Sequence, residues 1–305
     1  MDVAPGRAKP FSKAIATMER LLLCTDLDRT VLPNGLQEES PQARPLLRAL
    51  ARRPEVTLAY VSGRDLSLLQ DAIRDYGLPV PDYAIGDVGT TIYEIGAPGW
   101  NPWAAWSREI APDWRGLRRE DLARVLHDVA GLTEQEPEKQ NTFKLSYYAR
   151  SDIDADTLAA TIQGRLDREN VRAGVIWSVD ETSEVGLVDI LPASATKLHA
   201  IEFLMRQKGF DPAQTVFAGD SGNDLPVLTA GLQSVLVKNA TETVRAEAVR
   251  RADAAGHGHR LYLAEGGFLG MNGNYAAGVL EGLSHFIPEV EPCLREALQG
   301  LAAPA

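Results

Sequence analysis

A chain of 305 residues, 45% of them hydrophobic, can bury a substantial core and is long enough for two domains, which excludes an intrinsically disordered polypeptide. Its 31 basic and 42 acidic residues leave a formal charge of −11, so a nucleic acid would approach against the overall field and is not expected as a partner. The two cysteines, Cys24 and Cys293, lie far apart in sequence and imply no disulfide framework.

Residues 1–20 carry basic side chains without a sustained apolar core and are expected to form an amino-terminal arm, with a short helix or an ordered arm over Phe11–Glu19. The LLLC run is too short for the apolar region of a signal peptide, and no other run approaches a membrane span. The chain is therefore expected to be soluble and cytoplasmic, with no membrane partner.

From Leu21 the sequence reads LLLCTDLDRT. Leu21–Cys24 lack polar alternation, which suits a strand buried on both faces of a parallel sheet. Such a strand presents its chemistry at its carboxyl end, where Asp26 and Asp28 emerge. Two readings fit this stretch: a nucleophile with an acid/base partner, or an Asx-rich turn after a core strand. Pro33, Asn34 and Gly35 mark a turn, Pro41–Arg52 reads as a helix with Leu46, Leu47 and Leu50 on one face, and Val56–Val61 as the next buried strand. Ser62 and Gly63 then precede an amphipathic helix over Leu66–Tyr76. A hydroxyl and amide groups at a strand-to-helix turn suit phosphate oxygens, and a serine there equally suits a helix N-cap. Arg64 either orients a substrate or solvates the turn.

Tyr83–Ile95 reads as a strand, a glycine-marked turn and a second strand, and the Pro/Gly-rich stretch Gly96–Pro102 as a domain boundary. Of the tryptophans Trp100, Trp103, Trp106 and Trp114, clustered core packing is the expected role and a sugar platform the alternative. Helices are predicted over Leu117–Ala130 and Ala155–Arg168, and strands over Thr142–Tyr148, Val171–Val179 and Glu184–Leu191. This order gives an α+β unit on an antiparallel sheet, suited to covering a cleft.

The first unit resumes near Leu191. A helix over Ala195–Gln207 places Lys197 in its first turn, where a cation opposes the helix dipole unless an anion lies nearby. Thr215–Asp224, TVFAGDSGND, again leads from a short apolar strand into carboxylates, Asp220 and Asp224. Oxygen-only side chains are what a hard cation accepts, and adjacent carboxylates without one would repel. Two acidic strand ends in one chain therefore favour a shared Mg²⁺ site over a plain surface loop. Beyond it come a helix over Leu225–Ala230, a strand over Ser234–Val237, Asn239 facing the cleft, a helix over Thr241–Arg251, a last strand at Tyr262–Leu263 and a helix over Asn274–His285. For the tail Pro288–Ala305 two roles are open, mediating contacts or covering the core.

DLDRT, VSGR at Val61–Arg64, Lys197 after LPASAT, and GDSGND resemble, in order, the four motifs of the haloacid dehalogenase superfamily. FKLSYY at Phe143–Tyr148, DILP before Lys197 and VKNA at Val237–Ala240 further resemble the sucrose-phosphate phosphatase branch. The resemblance implies a doubly wound, parallel-sheet, Rossmann-like α/β core at 21–97 and 190–305, with a large C2-type α+β cap inserted at 98–189. It implies a Mg²⁺-dependent phosphatase acting on a small-molecule sugar phosphate, best matched by sucrose 6-phosphate or a related disaccharide or glycosyl-polyol ester. Asp26 would be the nucleophile and Asp28 the acid/base. Asp26, Asp220, the main-chain carbonyl of Asp28, and Asp224 directly or through water would hold the metal. Ser62, Lys197 and Asn223 would hold the phosphate, with Thr30 and Arg64 as further substrate contacts.

Lys144 in FKLSYY would contact the sugar; a strand lysine facing solvent is the bland reading. Superfamily ATPases carry threonine where this chain has Asp28, so Asp28 speaks for turnover. A sugar phosphomutase and a non-catalytic partner of a glycosyltransferase are the alternatives. The sequence sets no oligomeric state, and a monomer is compatible with it.

Overall fold

The structure, a computed structural model, describes residues 20–97, 99–150, 152–180 and 185–302, so the segment Phe11–Glu19 lies outside the described residues. The chain opens with β1 (Leu21–Thr25), α1 (Ala43–Ala51), β2 (Val56–Val61), α2 (Leu66–Asp75), β3 (Tyr83–Gly86), β4 (Thr91–Gly96), β5 (Gly99–Pro102) and α3 (Ala104–Ile110). The middle contributes α4 (Arg119–Leu126), β6 (Leu132–Glu134), β7 (Leu145–Ala149), α5 (Ala155–Arg168), β8 (Ala173–Asp180) and β9 (Val185–Pro192). Then follow α6 (Lys197–Lys208), β10 (Thr215–Gly219), α7 (Leu225–Leu228), β11 (Gln233–Leu236), α8 (Glu242–Ala254), β12 (Leu261–Leu263), α9 (Ala276–Phe286) and α10 (Val290–Ala302).

Eight strands form one sheet in the order β12-β11-β10-β1-β2-β3-β4-β5, parallel from β12 to β3 and antiparallel at β4 and β5. The apolar run of β1 explains its central place. Leu21 and Leu23 pack into the core on one face, under α1, α2, α9 and α10. Leu22 and Cys24 pack on the other, under α3, α6, α7 and α8. Burying each of these leucines contributes about 2 kcal/mol, and a polar alternation would forfeit that on one face. This is the doubly wound, Rossmann-like parallel core that the sequence predicts.

The second sheet is antiparallel, order β6-β7-β9-β8. Its inner face meets Leu122 and Leu126 of α4 and Leu158, Ile162 and Leu166 of α5 around a separate core. The expected start of the cap at 98 needs correction, because β5 pairs with β4 in the large sheet and α3 packs on that sheet. The reason is aromatic packing: Trp103 and Trp106 each lie 5.2 Å from the ring of Phe203 on α6. Trp106 and Trp114 are fully buried and closed to any sugar; Trp114 belongs to the cap core. The carboxyl-terminal tail forms α10, whose Leu294 is buried in the core cluster it shares with α1 and α9.

Candidate active site

The strand register creates the site. Thr25 of β1 pairs with Tyr60 of β2 and with Ala218 of β10, so Asp26, Ser62 and Asp220 all leave the sheet at one carboxyl edge. The Asp26 amide donates to the Ala218 carbonyl (2.8 Å), which carries the pairing one residue past β1. Gly219 then lets the chain fold back on itself, since a Cβ there would lie 2.6 Å from Cγ of Asp224.

Asp26, Asp220 and Asp224 are buried, and each offers a carboxylate oxygen within 4.8 Å of the others. Lys197 lies among them. Its Nζ donates to Oδ1 of Asp26 (2.8 Å) and to Oδ1 of Asp224 (2.7 Å), with Oδ1 of Asn223 at 3.4 Å. Thr196 caps α6 by accepting from the His199 amide, which sets Lys197 as the first residue of the helix. The cation is in its unfavourable position on the dipole, and the carboxylates compensate for it. Burial alone would lower the Lys197 pKa, but Asp26 and Asp224 outweigh it and hold the ammonium charged.

One ammonium does not balance three carboxylates. Burial, opposed by Lys197 and reinforced by Asp224 and Asp220, pushes Asp26 up to about 7. Burial and the Asp224 charge push Asp220 up to about 6, against Arg29, Thr30 and Lys197. Excess negative charge in an all-oxygen donor set is what a hard divalent cation relieves, so the residues present fit Mg²⁺. Asp224 is partly committed to the loop: its Oδ2 accepts from the amides of Asp220 (3.1 Å) and Ser221 (3.2 Å) and from the Ser221 hydroxyl (3.1 Å).

Ser62 is buried at the mouth of β2, where its Oγ accepts from the Arg64 amide (3.2 Å). The N-cap of α2 is Asp65, accepting from the Leu68 amide (2.9 Å), so capping does not account for Ser62. Asn223 is exposed beside the cluster and accepts from the Ser221 hydroxyl (2.7 Å).

Thr30 lies beneath the cluster. It is fully buried, and its hydroxyl donates to Oδ1 of Asp220 (3.2 Å), which places it as a support for a carboxylate of the cluster.

Arg64 grips Asp28 instead of projecting freely into the cleft: its Nε and Nη2 donate to the two carboxylate oxygens at 2.8 and 2.6 Å. Asn34 adds a third donor at 2.7 Å. Burial alone would raise the Asp28 pKa, but Arg64 and Asn34 together hold it below the usual carboxylate range. Asn34 reads in sequence as turn punctuation, and Arg29, whose Nε lies 3.4 Å from Oδ2 of Asp220, has no reading of its own. The only signal for either was proximity to the aspartates.

Lys144 precedes β7 and is buried, not an exposed strand residue. It comes close to Asp87 of the core: burial raises the Asp87 pKa, and the Lys144 charge opposes that. The same cap loop meets the core through Asn141, which donates to the Thr90 hydroxyl (2.9 Å), and through Lys139, 3.6 Å from Asp65. Beside these contacts lies a cleft of about 560 Å³, lined among others by Asp65, Asp87, Tyr93, Lys139 and Asn141.

Comparison with known proteins places this geometry. The family model for sucrose-6F-phosphate phosphohydrolase matches residues 19–287. A protein of Nitrosococcus oceani named as a HAD-like hydrolase is 58% identical over 271 residues, covering 89% of this chain and 73% of its own length. The mannosylfructose-phosphate phosphatase of Agrobacterium fabrum is 29% identical, covering 87% of this chain and 96% of that protein. Among solved structures, the sucrose-phosphatase of Synechocystis sp. PCC6803, in complex with sucrose and phosphate, superposes with a TM-score of 0.65 at 27% identity, covering 88% of this chain and 98% of the other. With buried aspartates and a lysine gathered at the carboxyl edge of a doubly wound sheet, the chain is a phosphatase of the haloacid dehalogenase superfamily and belongs to the sucrose-6F-phosphate phosphohydrolase family.

Proposed function

We propose that the protein hydrolyses a sugar phosphate monoester in a Mg²⁺-dependent reaction through an aspartyl-phosphate on Asp26. The observation that carries this reading is the position of Lys197 between Asp26 and Asp224. An ammonium there neutralises the nucleophile and meets the equatorial phosphoryl oxygens, the principal electrostatic demand of phosphoryl transfer. Asp26, Asp220 and the carbonyl of Asp28 would hold Mg²⁺, with Asp224 helping directly or through water. The metal supplies charge neutralisation that lets an anionic nucleophile approach an anionic ester.

In the first half-reaction an oxygen of Asp26 bonds to phosphorus as the bond to the sugar oxygen breaks, and Asp28 gives that oxygen its proton. In the second, water attacks the aspartyl-phosphate, Asp28 takes the water proton, and inorganic phosphate leaves with Asp26 restored. Arg64 and Asn34 favour the carboxylate form of Asp28, the form required in the second half-reaction. The first half-reaction requires a protonated Asp28, so Arg64 releases at least one of its two hydrogen bonds as substrate binds. Ser62 and Asn223 complete the phosphate cradle.

Sucrose 6-phosphate or a related disaccharide or glycosyl-polyol phosphate is the substrate in this reading, with Lys144, buried near Asp87 where the cap loop meets the core, as the sugar contact. The test is a panel of sucrose, mannosylfructose, glucosylglycerol and hexose phosphates assayed for inorganic phosphate with Mg²⁺ or EDTA. The reading expects phosphate release that requires the metal and favours one of the glycosyl esters. An isomerised sugar phosphate without free phosphate, or release undiminished by EDTA, would sink it.

A further inference from the structure

Asn239 follows β11 and was expected to face the cleft; it is instead buried behind the turn that carries Asp28. Its Nδ2 donates to the carbonyl of Arg29 (2.6 Å), 210 residues away in sequence, and its Oδ1 accepts from the amide of Tyr275 (2.8 Å). Both ends of the amide side chain are thus committed to backbone, and both partners are unusual. Arg29 has φ +58°, and Tyr275, fully buried, has φ +52° with ψ −135°. Conformations of this kind cost on the order of 1–3 kcal/mol each and persist only where neighbouring contacts enforce them.

The base of the turn is closed by the Leu27 carbonyl, which accepts from the amides of Thr30, Val31 and Leu32. Its apex is Asp28 and Arg29. Arg64 and Asn34 hold the Asp28 carboxylate, Asn34 also accepts from the Arg29 amide (2.8 Å), and Asn239 donates to the Arg29 carbonyl. Asn34 is exposed and Arg64 meets the turn only at the carboxylate, so the buried restraint on the apex backbone is Asn239.

Behind Asn239 stands a loop with its own anchors. Glu281 of α9, nearly buried, accepts from the Glu265 amide (2.9 Å), the Gly266 amide (2.9 Å) and the Tyr262 hydroxyl (3.0 Å). At the far end of the loop Asn272 and Asn274 donate to the Glu38 carbonyl (2.8 and 3.0 Å). The carboxyl-terminal third of the chain therefore closes a ring of hydrogen bonds around the segment that leads away from Asp28.

We propose that Asn239 is a positioning residue for Asp28, acting through the Arg29 carbonyl. This rests on the reading of Asp28 as proton donor to the leaving group. Loss of the Asn239 donor frees the left-handed peptide at Arg29 and lets Asp28 shift with the Arg64 and Asn34 groups that hold its carboxylate, while the base of the turn and Asp26 stay in place. Asp28 serves both half-reactions, but hydrolysis of the aspartyl-phosphate is common to all esters, so the leaving group distinguishes the esters only in the first. A sugar alcohol must be protonated as it leaves, whereas nitrophenolate departs without a proton.

The experiment compares Asn239→Asp, which keeps the acceptor for Tyr275 and removes the donor to Arg29, with Asn239→Ala and with Asp28→Asn. Each is assayed with Mg²⁺ in single turnovers on a hexose phosphate and on p-nitrophenyl phosphate, following release of the alcohol, and its folding is checked by thermal unfolding. For Asn239→Asp we expect single-turnover release of the sugar to slow about 100-fold, with the half-saturating substrate concentration and the single-turnover release of p-nitrophenolate moving less than about threefold. Asn239→Ala follows the same pattern if it folds; if it does not, Asn239→Asp decides alone. Equal losses on both esters, or none on either, overturn the positioning role. Absence of the leaving-group signature in Asp28→Asn overturns the reading of Asp28 itself, and the inference with it.

Discussion

Lys197 Nζ lies 2.8 Å from Oδ1 of Asp26, across 171 residues of sequence. Neither side chain is stable in that place alone. The ammonium opposes the dipole of α6, and the carboxylate is buried beside two others. Replacing Lys197 by Ala leaves those carboxylates facing one another. In EDTA the Lys197→Ala protein should lose on the order of 3 kcal/mol of stability, and with Mg²⁺ its turnover should fall at least about 100-fold. Denaturant unfolding with and without the metal, with phosphate release alongside, checks both; an unchanged rate would remove Lys197 from the reaction.

Asp26→Asn keeps shape and removes the nucleophilic charge. We expect phosphate release to drop by at least about 1,000-fold, as when a covalent nucleophile is lost. The melting temperature in EDTA should hold or rise, because one buried carboxylate charge is gone. Measurable turnover near the wild-type rate would refute the assignment.

Thr30 is fully buried and its hydroxyl steadies Asp220. Thr30→Val, close in shape, should raise the Mg²⁺ concentration for half-maximal activity by about tenfold, the usual effect of losing a partner behind a ligand. The saturated rate should stay within a few-fold. A Mg²⁺ titration of activity in the two proteins settles it.

The acidic cluster also fixes how metal-free stability changes with pH. Both Asp26 and Asp220 titrate near 3.8 when unperturbed, but near 7 and 6 in the fold. Between about pH 4 and 7 the folded protein therefore holds protons that the unfolded chain has released, so stability contributed by these groups falls as pH rises through that window and levels off above it. Thermal unfolding in EDTA from pH 5 to 8 should show a steeper decline for wild type than for Asp220→Asn. Parallel curves would show that Asp220 does not titrate in this range.

Parts of this site were legible before any coordinates. The apolar run of Leu21–Cys24 determines a strand buried on both faces, because only the centre of a doubly wound sheet accepts apolar side chains on both sides. Motif order names Asp26, Ser62, Lys197 and Asp220 as candidates, and the conflict of Lys197 with its helix dipole already called for an anion. The aspartate pair at 220 and 224 likewise announces a turn that gathers carboxylates.

Other assignments came only with the tertiary structure, and each for a physical reason. Residues 99–110 read as cap because Gly and Pro precede them, yet Trp103 and Trp106 find their apolar partners on α6, far along the chain. The tail beyond Pro288 has helical periodicity that matters only once α1 and α9 offer a surface for Leu294. Thr30 faces inward, Arg64 closes on Asp28, and Asn239 holds the Arg29 carbonyl because hydrogen-bond partners in irregular backbone are supplied by distant segments. Local pattern determined where the strands end and which charged groups they carry. Which of those groups meet, and which merely support the others, was decided by long-range pairing that no periodicity encodes.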